Sequence, residues 1–362
     1  MFRKTLLSLV ALSVLSPLSA EPKVDVSGHF LGGHNYFDQN AVNRAQFDFA
    51  ANIDFELEFS EKIKGIVQLQ TGAGEGSIGY VGPGAEVTDI NLEYTHDSGA
   101  VFTFGSYDTP FGQETGYLTN NADSTKSVFL NNSLLYSAFA GPVGTLNTLG
   151  LKTEKSTAYG DVTLSLSNGT GENAANENDT FEFLVGYGTD KVLDNLYLST
   201  SYIASDDSPD AGNEATNGFG TNFSAWIVDA KYDFANNISL KGYLGGLTYD
   251  DGNDATDDGV QVAMIELLKK TDKKQFGARV SYWNPEDSDG NNAGMSAQLP
   301  FPGYSTSTTT FTQVTDTAIT RYQVGGGFEF EPNVWLKGEA FVEQVDEGEN
   351  VNGVVIYVNA AF

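Results

Sequence analysis

The sequence predicts one all-β transmembrane protein: an antiparallel up-and-down β-barrel of about sixteen strands. Three observations carry that prediction. First, Ala45–Phe59 alternates strictly: the odd positions are Ala45, Phe47, Phe49, Ala51, Ile53, Phe55, Leu57 and Phe59, and the even ones are polar and mostly acidic, Ala50 excepted. A period of two describes a strand with one face in an apolar medium and one in water. A helix would spread phenylalanine and glutamate around every side. Second, tight turns and long polar loops alternate along the chain, which sorts short connections to one end of a barrel and long ones to the other. Third, no run of about eighteen apolar residues exists, which excludes a spanning helix. The mean hydropathy of −0.24 suits a barrel with a wet inner face.

In chain order, Met1–Ala20 opens with Arg3 and Lys4, continues through an apolar run from Leu6 to Leu15, breaks at Pro17 and ends in Ser19 and Ala20. This is the pattern of a secretory signal peptide, cut after Ala20. Residues 21–362 then form the barrel domain, with no linker or composition break. The predicted strands are Val24–Tyr36, Arg44–Phe59, Lys62–Thr71, Val87–His96, Ala100–Tyr107, Thr145–Lys155, Gly160–Gly169 and Thr180–Thr189. They continue with Asp194–Ala204, Asn222–Phe234, Ile238–Tyr249, Val260–Lys269, Lys273–Trp283, Thr317–Phe330, Val334–Val345 and Asn352–Phe362. Tight turns are marked by Asn, Asp, Gly and Pro, as at Ala235-Asn236-Asn237 and Glu331-Pro332-Asn333. A further turn is expected over residues 190–193. Long loops include Gly72–Glu86, Ser205–Thr221, Asp250–Gly259 and Asn284–Asp316.

One region is decided by parity. Ala100–Tyr107 and Gly160–Gly169 must run in the same direction, so an odd number of strands lies between them, and Thr145–Lys155 supplies one. Asp108–Gly144 is therefore one long loop, with Ser127–Phe139 as a local element inside it. Phe129, Leu130, Leu134, Leu135, Tyr136 and Phe139 argue against disorder there. They need an apolar surface, and the barrel interior is the nearest.

At the start of that loop, Gly105-Ser106-Tyr107-Asp108-Thr109-Pro110-Phe111-Gly112 resembles the G-x-x-x-T-P-F-G turn of Gram-negative outer-membrane porins, including the putative β-barrel, phosphate-selective and general porins. The resemblance implies that the loop folds into the pore as a constriction. Its charged and turn residues would then be Asp108, Pro110, Phe111, Gly112, Glu114, Asp123 and Lys126. The single base, Lys126, departs from the basic constriction of phosphate-selective porins. The last strand ends in Val358, Ala360 and Phe362 on one apolar face, and its terminal Phe362 resembles the signal read by the barrel assembly machinery. The resemblance also implies a homotrimer seated in outer-membrane lipid and lipopolysaccharide.

Parity then assigns faces. Pore-wall residues include Asp48, Asp54, Lys64, Lys231, Lys241, Arg279, Arg321 and Lys337. Early strands contribute mainly acids and later ones bases. Two arrangements follow with equal weight: a transverse field across the pore, or simple pairing between adjacent strands.

The formal charge of −29 becomes −31 once Arg3 and Lys4 are removed with the leader, because −29 − 2 = −31. Such a chain does not bind nucleic acid through bulk electrostatics. The loops carry 25 acids against Lys126 alone. Asp250, Asp251, Asp254, Asp257 and Asp258 cluster, and Asp287-Ser288-Asp289-Gly290 resembles part of a calcium loop, but neither has the full spacing. No metal or cofactor is expected. Catalysis is not expected either: His96 adjoins a short turn, and His29 and His34 have no evident partner. The function expected is passive diffusion of small hydrophilic solutes and ions through a water-filled, cation-preferring channel. The competing readings are a non-conducting structural or adhesin barrel plugged by its long loop, and a soluble secreted β protein, which detergent dependence would separate from both.

Overall fold

A computed structural model describes residues 23–39, 42–71, 86–112, 129, 147–167, 181–206, 222–249, 258–286, 318–346 and 350–362. These form sixteen antiparallel strands: β1 (Lys23–Gln39), β2 (Val42–Ser60), β3 (Ile63–Thr71), β4 (Glu86–Thr95), β5 (Ala100–Asp108), β6 (Asn147–Ser156), β7 (Asp161–Ser167) and β8 (Glu182–Leu193). The second half comprises β9 (Leu196–Asp206), β10 (Asn222–Phe234), β11 (Ile238–Tyr249), β12 (Asp258–Lys270), β13 (Lys274–Glu286), β14 (Ile319–Glu331), β15 (Val334–Val345) and β16 (Val351–Ala361). Each pairs with the next, and β1 pairs with β16, so the sheet closes.

All sixteen predicted strands are present, and β10, β11 and β15 have the predicted bounds. Two differences have local causes. Residues 190–193 are not a turn; they extend β8, which shifts register between Thr189 and Leu193. The turn is tighter because Asn195 takes a left-handed φ of 65°. At the other end of the barrel, the first hairpin runs further than predicted, with pairing continuing to Gln39 opposite Val42. The leader, Met1–Ala20, lies outside the described residues.

Apart from the two-residue connection 40–41, the short turns gather at one end. Asn195, Asn236, Asn237 and Asn333 adopt positive φ there, the left-handed geometry that two- and three-residue hairpin connections need. Asparagine tolerates it because its short amide bonds locally.

The side-chain alternation is inverted relative to a water-soluble sheet. On β12, Ile265 is 54% and Leu267 49% exposed, whereas Glu266 between them is 2% exposed. Phe104, Trp226, Phe276, Val324 and Ile356 likewise face outward. The outer surface is an apolar belt and the polar groups line the interior, as a hydrocarbon environment requires. Side chains of residues 42–50, including Asp48, Phe47 and Phe49, lie outside the description; their backbone belongs to β2.

Outer-face glycines are covered by rings from neighbouring strands. Gly246 lies against Trp226, Gly326 against Phe276 and Gly65 against Phe59. The same device operates at the closure. Gly28 N–H donates to Phe362 O at 3.1 Å and Phe362 N–H to Gly28 O at 3.0 Å. A β-carbon at Gly28 would stand 2.3 Å from Asn52 O and 2.9 Å from the Phe362 ring. Gly28→Val should therefore separate the closing strands and cost about 1–3 kcal/mol, measured as a lowered urea midpoint by tryptophan fluorescence in detergent. An unchanged midpoint would show that the closure tolerates a side chain there.

Candidate pore lining and in-folded loop

The long connection after β5 turns into the barrel. Phe111 N–H donates to Thr109 O at 2.8 Å, tightening the turn. Pro110 is half-buried, and the Phe111 ring is fully buried in an apolar cluster with Leu184, Ile203, Ile227, Leu247 and Trp283 on the inner faces of β8 to β13. Gly112 N–H donates to Ser201 Oγ on β9 at 3.3 Å. Gly112 has φ +70°, and a β-carbon there would lie 3.0 Å from Ile227 Cδ1 on β10. Glycine thus meets both demands of the turn, a left-handed backbone and close approach to the wall.

Further along, Phe129 is buried against Leu268 on β12. The Arg279 guanidinium on β13 sits 4.5 Å from its ring centroid. Going from β5 to β13 is half of the sixteen-strand circuit. The connection is therefore fixed to the wall at β9 and β10, and again beside β13, half-way around from the strand it left. Of the other predicted constriction residues, Asp108 pairs with Asn147 through its backbone in β5. Glu114, Asp123 and Lys126 lie outside the described residues, as does the rest of Ser127–Phe139.

The wall bases are bonded across strands. Glu266 on β12 lies 3.6 Å from Lys241 on β11 and 3.5 Å from Arg279 on β13. Arg279 Nε donates to Gln323 Oε1 at 2.8 Å, and Gln323 Nε2 donates to Glu339 Oε1 at 2.9 Å. Arg321 is ion-paired with Glu343. Lys337 is buried beside Trp335, 5.5 Å from its ring centroid. Lys231 pairs along its own strand with Asp233 at 2.9 Å. Of the two arrangements open to the sequence, cross-strand pairing describes Lys241, Arg279 and Arg321.

The wall of β1–β4 is different. The described inward side chains of β1–β4 include Asp25, Asp54, Glu56, Glu58, Asp89 and Glu93 against Lys23 and Lys64. Lys64 Nζ is 2.5 Å from Glu56 and 3.9 Å from Glu58. Gln68 Nε2 donates to Asp54 at 2.8 Å, and Ser106 Oγ to Asp89 at 3.1 Å. The side chains of Lys64, Glu56 and Glu58 are 37–41% exposed. This wall carries surplus carboxylate in contact with solvent.

Sequence reasoning missed the apolar inner sector of β8–β13. Its signal was a failure of alternation: in Ala225-Trp226-Ile227-Val228 both faces are apolar. Trp226 and Val228 face outward while Ala225 and Ile227 are fully buried inside. A second omission is at His96, which does have a serine beside it. His96 Nδ1 lies 2.9 Å from Ser98 Oγ and accepts the Ser98 N–H at 3.1 Å. The ring caps an exposed turn in this way. His29 and His34 are likewise engaged in interactions within the barrel. Among the described residues, no group of three or more His, Cys, Asp or Glu side chains is placed to hold a metal ion. The acidic stretch 250–257 and Asp287 and Asp289 fall outside the described residues.

Sixteen closed strands, with a connection anchored inside the lumen after β5, decide the architecture. The chain has the outer-membrane porin fold. A scan against protein-family models and a search of curated proteins give no match. Solved structures do. The porin fold here superposes on the outer membrane channel DcaP of Acinetobacter baumannii with a TM-score of 0.65, at 11% identity over 95% of this chain and 98% of that one. It superposes on OmpT, an outer membrane protein of Vibrio cholerae, with a TM-score of 0.63, at 13% identity over 96% and 99% of the two chains. An anion-selective porin from Comamonas acidovorans gives 0.61, at 11% identity over 94% and 100%. Vibrio OmpT also has a solved form described as a trimer.

The wall pairs of this porin fold should be inseparable. Arg321→Gln leaves Glu343, 4% exposed, without its ionic partner. Removing one member of such a pair costs about 3–5 kcal/mol, whereas replacing both by apolar residues of similar volume is close to neutral. Denaturant unfolding of Arg321→Gln and of Arg321→Met/Glu343→Leu checks this; equal destabilisation by the two would refute it.

Proposed function

We propose that this protein is a Gram-negative outer-membrane porin: a water-filled channel for passive diffusion of small hydrophilic solutes and ions, with a preference for cations. The observation that carries the reading is the closed barrel with apolar side chains outside and charged ones inside. That arrangement suits a lipid-facing exterior and a hydrated lumen. No nucleophile is needed, since the work is done by a hole of defined shape and charge; the protein is therefore not an enzyme and needs no cofactor.

In this reading Met1–Ala20 is a signal peptide removed on export, and residues 21–362 are the mature barrel. The short-turn end faces the periplasm and the long loops face outside. Phe362 is recognised by the barrel assembly machinery. The apolar belt contacts outer-membrane lipid and lipopolysaccharide, and the working unit is a homotrimer, a reading helped by the trimer form of one protein with this fold. Loop residues 108–144, anchored by Phe111 and Phe129, narrow the passage.

Two sets of charges support cation preference. The loops carry acids in excess, and the wet β1–β4 wall adds a surplus of carboxylate. The bases of β11–β14 are engaged by neighbouring carboxylates, which offsets part of their field in the passage. Low-dielectric walls focus such a field, while screening limits it to about 8 Å at physiological salt and about 3 Å at 1 M. The alternative of a plugged structural or adhesin barrel draws on the buried apolar sector that meets the loop.

Planar-bilayer recording separates these readings. The porin gives single-channel steps and, across a salt gradient of about tenfold, a reversal potential of cationic sign that shrinks as salt rises. Asp54→Asn/Glu56→Gln/Glu58→Gln should lower the cation-to-chloride permeability ratio by about fivefold, the effect of about 1 kcal/mol between water-exposed charges 4 Å apart. A chloride-favouring wild type would sink the selectivity claim, and absence of conductance would favour the plugged barrel.

A further inference from the structure

The inner wall of β13 and β14 contains a notch. Gly277 and Gly325 are register partners, and both lie on the inner face, between Arg279 and Gln275 on one strand and Gln323 and Gly327 on the other. Leu268 pairs with Gly277 on the β12 side, and Glu339 pairs with Gly325 on the β15 side. This row therefore presents bare backbone flanked by the side chains of Leu268 and Glu339.

Phe129 occupies the Gly325 side of this notch. A β-carbon placed on Gly325 would stand 3.3 Å from Phe129 Cε1 and 3.4 Å from Cδ1, so one edge of the ring rests against that backbone. The same ring is stacked under Arg279 and packed on Leu268. Phe129 is 6% exposed and Arg279 4% exposed. The guanidinium is therefore held on three sides: by Gln323 through Nε, by Glu266 through Nη1, and by the aromatic face.

We propose that Phe129 is a positioning and selectivity residue: seated in the Gly277/Gly325 notch, it fastens the loop across the lumen and screens Arg279 from passing ions. The ligand that this excludes is any small hydrated anion, for which an uncovered guanidinium is a binding group. Cation preference then depends on a hydrophobic ring as well as on carboxylates. A ring over a guanidinium gains by a cation–π contact that strengthens when desolvated, so the screen and the fastening reinforce each other. This inference rests on the porin reading for its electrical consequence, but the seating of the ring does not.

The chain has no cysteine, so introduced thiols are the only ones present. Phe129→Cys/Gly325→Cys, treated in the purified folded barrel with a short bifunctional thiol reagent, should crosslink. Phe129→Cys paired with Gln68→Cys on β3 should not. Heat-modifiable migration on gels confirms that each variant is folded. In bilayers Phe129→Ala should lower the cation-to-chloride permeability ratio about twofold or more as Arg279 is uncovered. Phe129→Tyr should retain the wild-type ratio, and Phe129→Ala should have no further effect in an Arg279→Gln background. Failure to crosslink to position 325, or equal crosslinking to position 68, overturns the seat. An unchanged ratio in Phe129→Ala, or the same fall in the Arg279→Gln background, overturns the screen. A wild-type barrel that conducts nothing removes the screen together with the porin reading, while the crosslink still decides the seat.

Discussion

Closure of the sheet between β1 and β16 is the constraint on which everything else rests. A backbone N–H or C=O left unpaired in hydrocarbon costs several kcal/mol, and an open sheet would expose a row of them at each edge. Pairing of residues 29–38 with residues 352–361, completed by the reciprocal Gly28–Phe362 bonds, removes both edges at once. The seam needs a glycine at position 28 because a ring lies over it, so a backbone requirement fixes a side-chain choice.

Once the outside is committed to apolar residues, polarity has to go inward, and the two halves of the lumen handle it differently. Around β11–β15 the charges are buried and engaged by one another or by aromatic rings. Around β1–β4 most stay wet, Asp89 excepted, with more acid than base. The apolar cluster on the inner faces of β8–β13 carries neither kind of charge; it receives Phe111 and lets the connection after β5 leave its strand and enter the interior. The loop is thus held by hydrophobic contacts at both described anchor points, with Gly112 and Gly325 providing the close approach.

Most of the fold was legible because a strand between two media has a strict period of two. That period located all sixteen strands, and asparagine-rich turns fixed their ends to within a few residues. Where the medium is the same on both sides the period disappears: at residues 225–228 the inner face packs against a loop, and alternation could not reveal it. The charges were legible as a list but not as partners. Arg321 meets Glu343, and Arg279 meets both Glu266 and Gln323, because of registers that a one-residue slip would abolish. Phe129 was recognised as needing an apolar surface, but its seat depends on two glycines far apart in sequence that become neighbours only in the sheet.

The contrast between engaged and wet charges also bears on which substitutions the barrel can absorb. Glu266 serves two bases on two strands, so a change there must be matched at Lys241 and Arg279 before the wall is whole again. Asp54, Glu56 and Glu58 sit on one strand with Gln68 and Lys64 as partners, in a partly exposed row where a single exchange strands no deeply buried charge. The charge of the β1–β4 side can therefore change through single substitutions that leave the buried pairs of β11–β15 intact.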